Sequence, residues 1–317
     1  LELVRLIQGA FMVWDMKMES DLKLDDDSVK KVSARANNTN LNEDLAQISY
    51  IFSDKTGTFT KNEMKLAKWF VDDVVYDELE SPGSLGQAAV DESTTAVRKD
   101  KLCRMLRSIA VCHDVIPSID HKSGKMVYES QSPDETALVM AAKSNNAILK
   151  SRNKSFVEIE VFGHNEKYQI VQVLTFNSTR KRMSVVVKDK DNYILYCKGA
   201  DNVIQERLSK DTNLNDPELL KMAAKKLEAF SEVGLRVLMI AWRNIPEDEY
   251  NKFQQILNQA EECLEDREEK VMNAYEILEK DMIFTGCTAI EDKLQDDLPE
   301  TIKYLLIVNI VFILFLG

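Results

Sequence analysis

No CxxC pair and no paired-histidine spacing occur among five cysteines (Cys103, Cys112, Cys197, Cys263, Cys287) and three histidines (His113, His121, His164). A disulfide scaffold and a zinc site therefore have little support, and the thiols read as reduced and buried. Positive charge is also in deficit. Forty-one Lys plus Arg against fifty-three Asp plus Glu leave a net charge of −12, which disfavours a nucleic-acid binder. Long apolar runs are missing too: LVRLIQGAFMVW at 3–14 carries Arg5 and Gln8, and LLIVNIVFILFLG at 305–317 contains Asn309. Both fall short of the roughly 20 residues that cross a bilayer. There is no signal peptide, no internal repeat and no GxxxxGK[ST] phosphate loop. The sequence lacks an initiator Met and stops inside an apolar run, so it reads as a piece of a longer chain.

What is present supports buried cores: 44% hydrophobic and 30% charged residues in 317, enough for two domains. The opening is predicted helical to about Trp14, and DLKLDDDS at 21–28 reads as a turn or linker. ISYIFSD reads as a buried strand ending at Asp54, which puts a carboxylate where α/β sheets carry their reacting groups. Residues 81–95 read as an exposed loop and 98–112 as a helix with Leu102, Met105, Leu106 and Ile109 on one face. A second helix is signposted at 132–143, with Ser132 as cap, Pro133 in the first turn and Glu135 at the capping-box spacing. Runs at 156–162, 168–176, 182–188 and 192–197 predict an antiparallel sheet, with a turn at KDKDN 188–192. A helix from Pro217 to about Val233, a strand at 234–242 and a long amphipathic region from Pro246 to Lys280 follow. The strand-like segments 48–53 and 281–286 flank this whole middle. The simplest topology is an α/β core whose two incomplete parts complete each other around an insertion at about 67–279.

The sharpest local signal is DKTGTFT at 54–60. Asp54 is a candidate nucleophile, Lys55 can neutralise phosphoryl charge, and Thr56, Gly57 and Thr58 can place donors around phosphate oxygens. This string resembles the phosphorylation motif of P-type ATPases, with Phe59 where Leu is usual. Residues 1–310 as a whole resemble the cytoplasmic segment of the phospholipid-translocating branch, the aminophospholipid flippases. ESQSPDETA at 129–137 resembles that family's nucleotide-domain signature, TFNSTRKRMSV at 175–185 carries the aromatic Phe176 that stacks on adenine, and KGAD at 198–201 carries Lys198. Arg236 in EVGLRVLMIAW resembles the arginine that reaches the nucleotide phosphates. In TGCTAIEDKLQDDLPETI at 285–302, Glu291 and Asp292 stand where nucleotide and Mg²⁺ chemistry are handled, and Cys287 where Ala is common.

The resemblance implies a fold: an incomplete HAD-like (Rossmann-like) phosphorylation domain interrupted by a large α+β nucleotide-binding domain with an antiparallel sheet. Its parts would be 1–14, a cytoplasmic extension of a membrane helix; 15–66 and 280–317, the phosphorylation domain; and 67–279, the nucleotide-binding domain. It also implies a reaction, ATP-dependent phospholipid translocation through an aspartyl-phosphate at Asp54, with ATP and Mg²⁺. Asp54, Lys55 and Thr56 would be catalytic; Glu135, Phe176, Lys198, Arg236 and Thr56 would bind nucleotide; Asp54 and the Thr56 carbonyl would hold the metal, the remaining ligand aspartates lying outside this sequence. Implied partners are the phospholipid, the membrane at its cytoplasmic face and a small two-span accessory subunit. VNIVFILFLG lacks the polar positions of the family's Thr-Gly-Asp motif, and the actuator domain is missing. The alternative reading is thus an ATP-binding fragment without turnover, its phosphoryl transfer impaired. From residue type alone Phe176 is more often core than a ligand platform, Glu135 reads equally as a cap, and Arg180, Lys181 and Arg182 read as a solvated turn with a local electrostatic role.

Overall fold

The computed structural model describes residues 2–23, 28–38, 44, 47–119, 124, 126–190, 192–263 and 265–315. His121, Leu24–Asp27 of the acidic run and Asp191 of the expected turn lie outside them. The chain forms two compact units, Leu1–Thr60 with Leu294–Gly317, and Lys61–Lys293.

In the first unit, the helix Glu2–Trp14 precedes an antiparallel ribbon of Ser20–Lys23 and Val29–Val32. Asp21–Lys23, the start of the acidic run, is therefore paired strand, where a turn or linker was expected; Leu22 between polar neighbours favours extended backbone. Tyr50–Asp54 pairs in parallel with Val311–Phe315, Val311 opposite Tyr50 and Phe315 opposite Asp54. Its partner is therefore not 281–286 as the sequence suggested. VFILF is a continuous apolar run, the pattern of a parallel strand. Between the helix Leu298–Ile307 and this strand, the Val311 N–H donates to the Ser49 carbonyl at 2.9 Å and sets the register. The Phe59 ring stands edge-on to Phe312 at 6.0 Å, which gives the bulkier residue of DKTGTFT an aromatic partner. Among the described residues no helix is long and apolar enough to cross a membrane.

The second unit is built on a nine-stranded sheet. In spatial order its strands are Val74–Asp77, Thr60–Val71, Ile283–Leu294, Arg236–Ile245, Asn192–Gly199, Arg182–Asp189, His164–Leu174, Phe156–Val161 and Ala147–Arg152. From Ile283–Leu294 to Ala147–Arg152 every neighbouring pair is antiparallel. The expected antiparallel sheet is thus present, and of the two segments that flank the insertion it recruits 281–286, within Ile283–Leu294, but not Tyr50–Asp54. Alternation sorts side chains to two faces. Ile240 joins the core that packs the helices Ser84–Val90, Ala96–Val111 and Pro133–Ser144, while Met239 and Ala241 join the core under Pro217–Glu232, Glu247–Glu262 and Arg267–Leu278. The long amphipathic region is two helices, broken where Asp266 takes a left-handed backbone (φ 54°).

Candidate functional site

The structure gathers the sequence-expected residues into two groups. In the first unit Asp54 ends its strand with extended backbone and an exposed side chain, whose Oδ1 accepts from the Lys55 N–H at 2.7 Å. Residues Lys55–Phe59 form one wide turn closed by the Thr60 N–H, which donates to the Lys55 carbonyl. Gly57 takes φ +77°, a conformation side chains resist, and its N–H donates to Thr60 Oγ1 at 3.2 Å. Asp54, Lys55 and the backbone of Thr56 thus share a single turn at the C-terminal end of a parallel strand pair.

In the second unit a cleft of about 520 Å³ opens between the first turn of the helix Pro133–Ser144 and the sheet. Phe176, Glu135 and Lys198 all line it. The strand His164–Leu174 stops two residues before Phe176, because the Asn177 side chain accepts from the Arg180 N–H at 2.7 Å and turns the chain. Phe176 is therefore 61% exposed and is not core. Lys198 is 3% exposed and ion-paired with Glu135. Glu135 accordingly does not complete a capping box; Ser132 caps only through its carbonyl, which accepts from the Glu135 N–H at 3.1 Å. One residue earlier on the same turn, Asp134 Oδ2 accepts from Arg236 Nη1 at 2.6 Å, while Asp134 Oδ1 is buried without a hydrogen-bond partner. Glu291 and Asp292 lie on Ile283–Leu294, outside the cleft lining. A larger cleft, about 770 Å³, borders another face of this helix at Pro133, Ala137 and Met140, and holds none of the five nucleotide-site candidates.

The solvated turn expected at 180–182 is corrected by burial. Arg180 and Arg182 are both buried and share the carboxylate of Glu279, itself fully buried; Ser184 Oγ donates to the same group. Arg182 also pairs with Glu276. Two guanidiniums leave water here because their five-donor forks find carboxylates. Arg182 stands opposite Gly199 across the strand pair, so this cluster backs the edge that carries Lys198.

Sequence reasoning missed His113, for which no motif or spacing gave a signal. It is fully buried beside Asp114 of the cleft. Its Nε2 lies 2.8 Å from the Ala110 carbonyl and its Nδ1 accepts from the Val115 N–H at 3.1 Å, which requires the neutral Nε2–H tautomer. Burial, reinforced by the charges of Arg152 and Lys198, holds its pKa well below the usual histidine value. A depressed pKa gives stability that is complete above about pH 6.5 and is lost as pH falls, by up to about 1.4 kcal/mol per pH unit. Urea unfolding between pH 7.5 and 5 should show that slope, and His113→Gln should flatten it; an equal slope in the variant would remove His113 as its source.

The family described as "P-type ATPase, cytoplasmic domain N" matches residues 101–297, well over half of the chain. The chain belongs to the P-type ATPases. The relatives it matches include phospholipid-transporting ATPases: one from Schizosaccharomyces pombe is 37% identical over 96% of this chain and 24% of its own length. Phospholipid-transporting ATPase IC of Xenopus tropicalis is 37% identical over 95% and 25%, and Phospholipid-transporting ATPase 2 of Arabidopsis thaliana 36% over 100% and 27%. The chain spans about a quarter of the length of these relatives.

Proposed function

We propose that this P-type ATPase segment binds ATP in the Phe176–Lys198 cleft and carries the phosphoryl acceptor, Asp54, of an ATP-driven phospholipid translocase. The observation that supports it most is the exposed Phe176 ring at a cleft where Lys198, the one lysine among the described lining residues, is held nearly buried against the sheet. A planar apolar platform beside a fixed cation suits a base with a polyphosphate attached. Glu135 and Arg236 stand within the same few residues of the helix and sheet, and would contact the nucleotide with them.

In the proposed reaction an Asp54 carboxylate oxygen attacks the γ-phosphorus, the bond to the β-phosphate oxygen breaks and ADP leaves; water later cleaves the acyl phosphate and restores Asp54. Lys55 would neutralise the transferred group, with Thr56 contributing to its binding. Asp54 and the Thr56 carbonyl are hard oxygen donors of the kind Mg²⁺ takes alongside phosphate oxygens and water. Among the described residues no group of three or more His, Cys, Asp or Glu converges, so these two would hold the ion only together with phosphate oxygens and the further aspartates that the resemblance implies. Bound there, Mg²⁺ would neutralise charge on the phosphates. On this reading 15–66 and 280–317 are parts of a HAD-like phosphorylation domain around a nucleotide-binding domain at 67–279, and 1–14 extends a membrane helix at the cytoplasmic face. The parent would engage a phospholipid and a two-span accessory subunit.

An ATP titration of the chain, with Mg²⁺ varied separately, tests the reading. Phe176→Ala should weaken binding roughly five- to hundredfold, the range of aromatic–base stacking, and Lys198→Ala should weaken it as well. A folded wild type that does not bind ATP would overturn the assignment. The second reading, binding without turnover, is favoured by the fact that every residue lining the cleft falls within Lys61–Lys293. Radiolabel from γ-labelled ATP retained on wild type and absent from Asp54→Asn would exclude it.

A further inference from the structure

We infer that Asp134 is a built-in competitor for the nucleotide's phosphates: it holds Arg236 in a carboxylate pair that polyphosphate must open. The inference rests on the nucleotide reading of the cleft and adds a residue that reading does not use.

Asp134 lines the cleft and stands one residue before Glu135 on the first turn of the helix Pro133–Ser144. Its Oδ2 accepts from Arg236 Nη1 at 2.6 Å. A carboxylate and a phosphate present a guanidinium with the same pair of acceptor oxygens, so one can stand in for the other. The pair is poorly founded in two respects. Asp134 Oδ1 is buried without a hydrogen-bond partner, so half of the carboxylate is desolvated without return. Arg236 is half exposed, so its ion pair is screened by water. Lys198 differs, being sunk into the sheet with Glu135. The cleft therefore has one fixed cation in its lining, Lys198, and one restrained, exchangeable cation beside it, Arg236, held by the lining residue Asp134. Exchange would set affinity according to the number of phosphates, leaving the base contact at Phe176 untouched.

The test measures Kd for ATP, adenosine and inorganic tripolyphosphate on the full chain, comparing wild type with Asp134→Asn, Asp114→Asn, Arg236→Ala and the Asp134→Asn/Arg236→Ala double variant. Thermal unfolding of each confirms folding. Asp114 also lines the cleft, accepts from Ser130 Oγ at 2.6 Å, and controls for the loss of one negative charge. Asp134→Asn should tighten ATP and tripolyphosphate roughly two- to fivefold, the scale of a partly exposed ion pair, and leave adenosine unchanged. The gain should vanish in the Arg236→Ala background. Looser binding in Asp134→Asn would make Asp134 a ligand contact and overturn the inference. An equal gain in Asp114→Asn, or one that survives Arg236→Ala, would reduce it to bulk charge and overturn it too. Tripolyphosphate separates the two failures: an Arg236-dependent gain with tripolyphosphate but no ATP binding would sink the nucleotide reading while upholding the competition.

Discussion

Glu279→Ala is expected to destabilise the Lys61–Lys293 unit by about 3–5 kcal/mol, the cost of breaking a buried ion pair from one side. One carboxylate, fully buried, serves two buried guanidiniums: Oε2 accepts from Arg182 Nε at 2.6 Å, and Oε1 takes Arg180 and the Ser184 hydroxyl. Removing it leaves both arginines desolvated, and Arg180 Nε is already without a partner. Arg182 retains Glu276, which is more exposed and shared with Arg207. For a unit of this size the loss corresponds to roughly 6–20 °C in melting temperature. Thermal unfolding followed by circular dichroism measures it. A loss under about 1 kcal/mol would mean that these arginines reach water in solution and that the cluster is not structural.

The second large effect is expected at Gly199. An added Cβ would lie 2.5 Å from Arg182 Cβ, 2.6 Å from the Lys181 carbonyl oxygen and 2.8 Å from Arg182 Cα. Two of these three atoms are backbone, and the third is anchored through the Glu279 cluster, so no flexible side-chain end can yield. Gly199→Ala must therefore spread the strands Arg182–Asp189 and Asn192–Gly199, at about 1–3 kcal/mol or more for overpacking. Because Lys198 precedes it, the same displacement should weaken ATP binding. A variant that melts with wild type and binds ATP equally would show that the strand pair accommodates the methyl group and that glycine is not required there by contact.

Much of the secondary structure could be read from residue type. Pro133, Pro217 and Pro299 each stand in the first turn of an observed helix, because proline loses no hydrogen bond there. Thr60–Val71, Val74–Asp77 and Ala147–Arg152 were not read as strands, but the other six strands of the large sheet were legible as β-branched and aromatic runs separated by polar turns. Their order was not, since nothing local tells Ile283–Leu294 to pair inside the large sheet while Val311–Phe315 takes Tyr50–Asp54. Among the candidate site residues, Phe176, Glu135 and Lys198 were singled out through motif strings, and the structure brings them to one cleft. The Arg180 and Arg182 cluster was missed because charged residues read locally as solvated, and the partner of Arg180 lies 99 positions away. His113 was missed for the same physical reason: its role is made by burial and by two backbone groups, neither of which has a signature in sequence.

The order of the large sheet also bears on how this protein can be cut and rejoined. Thr60–Val71 and Ile283–Leu294, the strands on which the chain enters and leaves the Lys61–Lys293 unit, are hydrogen-bonded neighbours. Everything between them is one continuous excursion that returns beside its point of departure. The unit is thus a cassette: severed at both boundary strands it would keep its sheet order and both cores, and a linker of a few residues could join its ends into a circular permutant with new termini in an exposed loop.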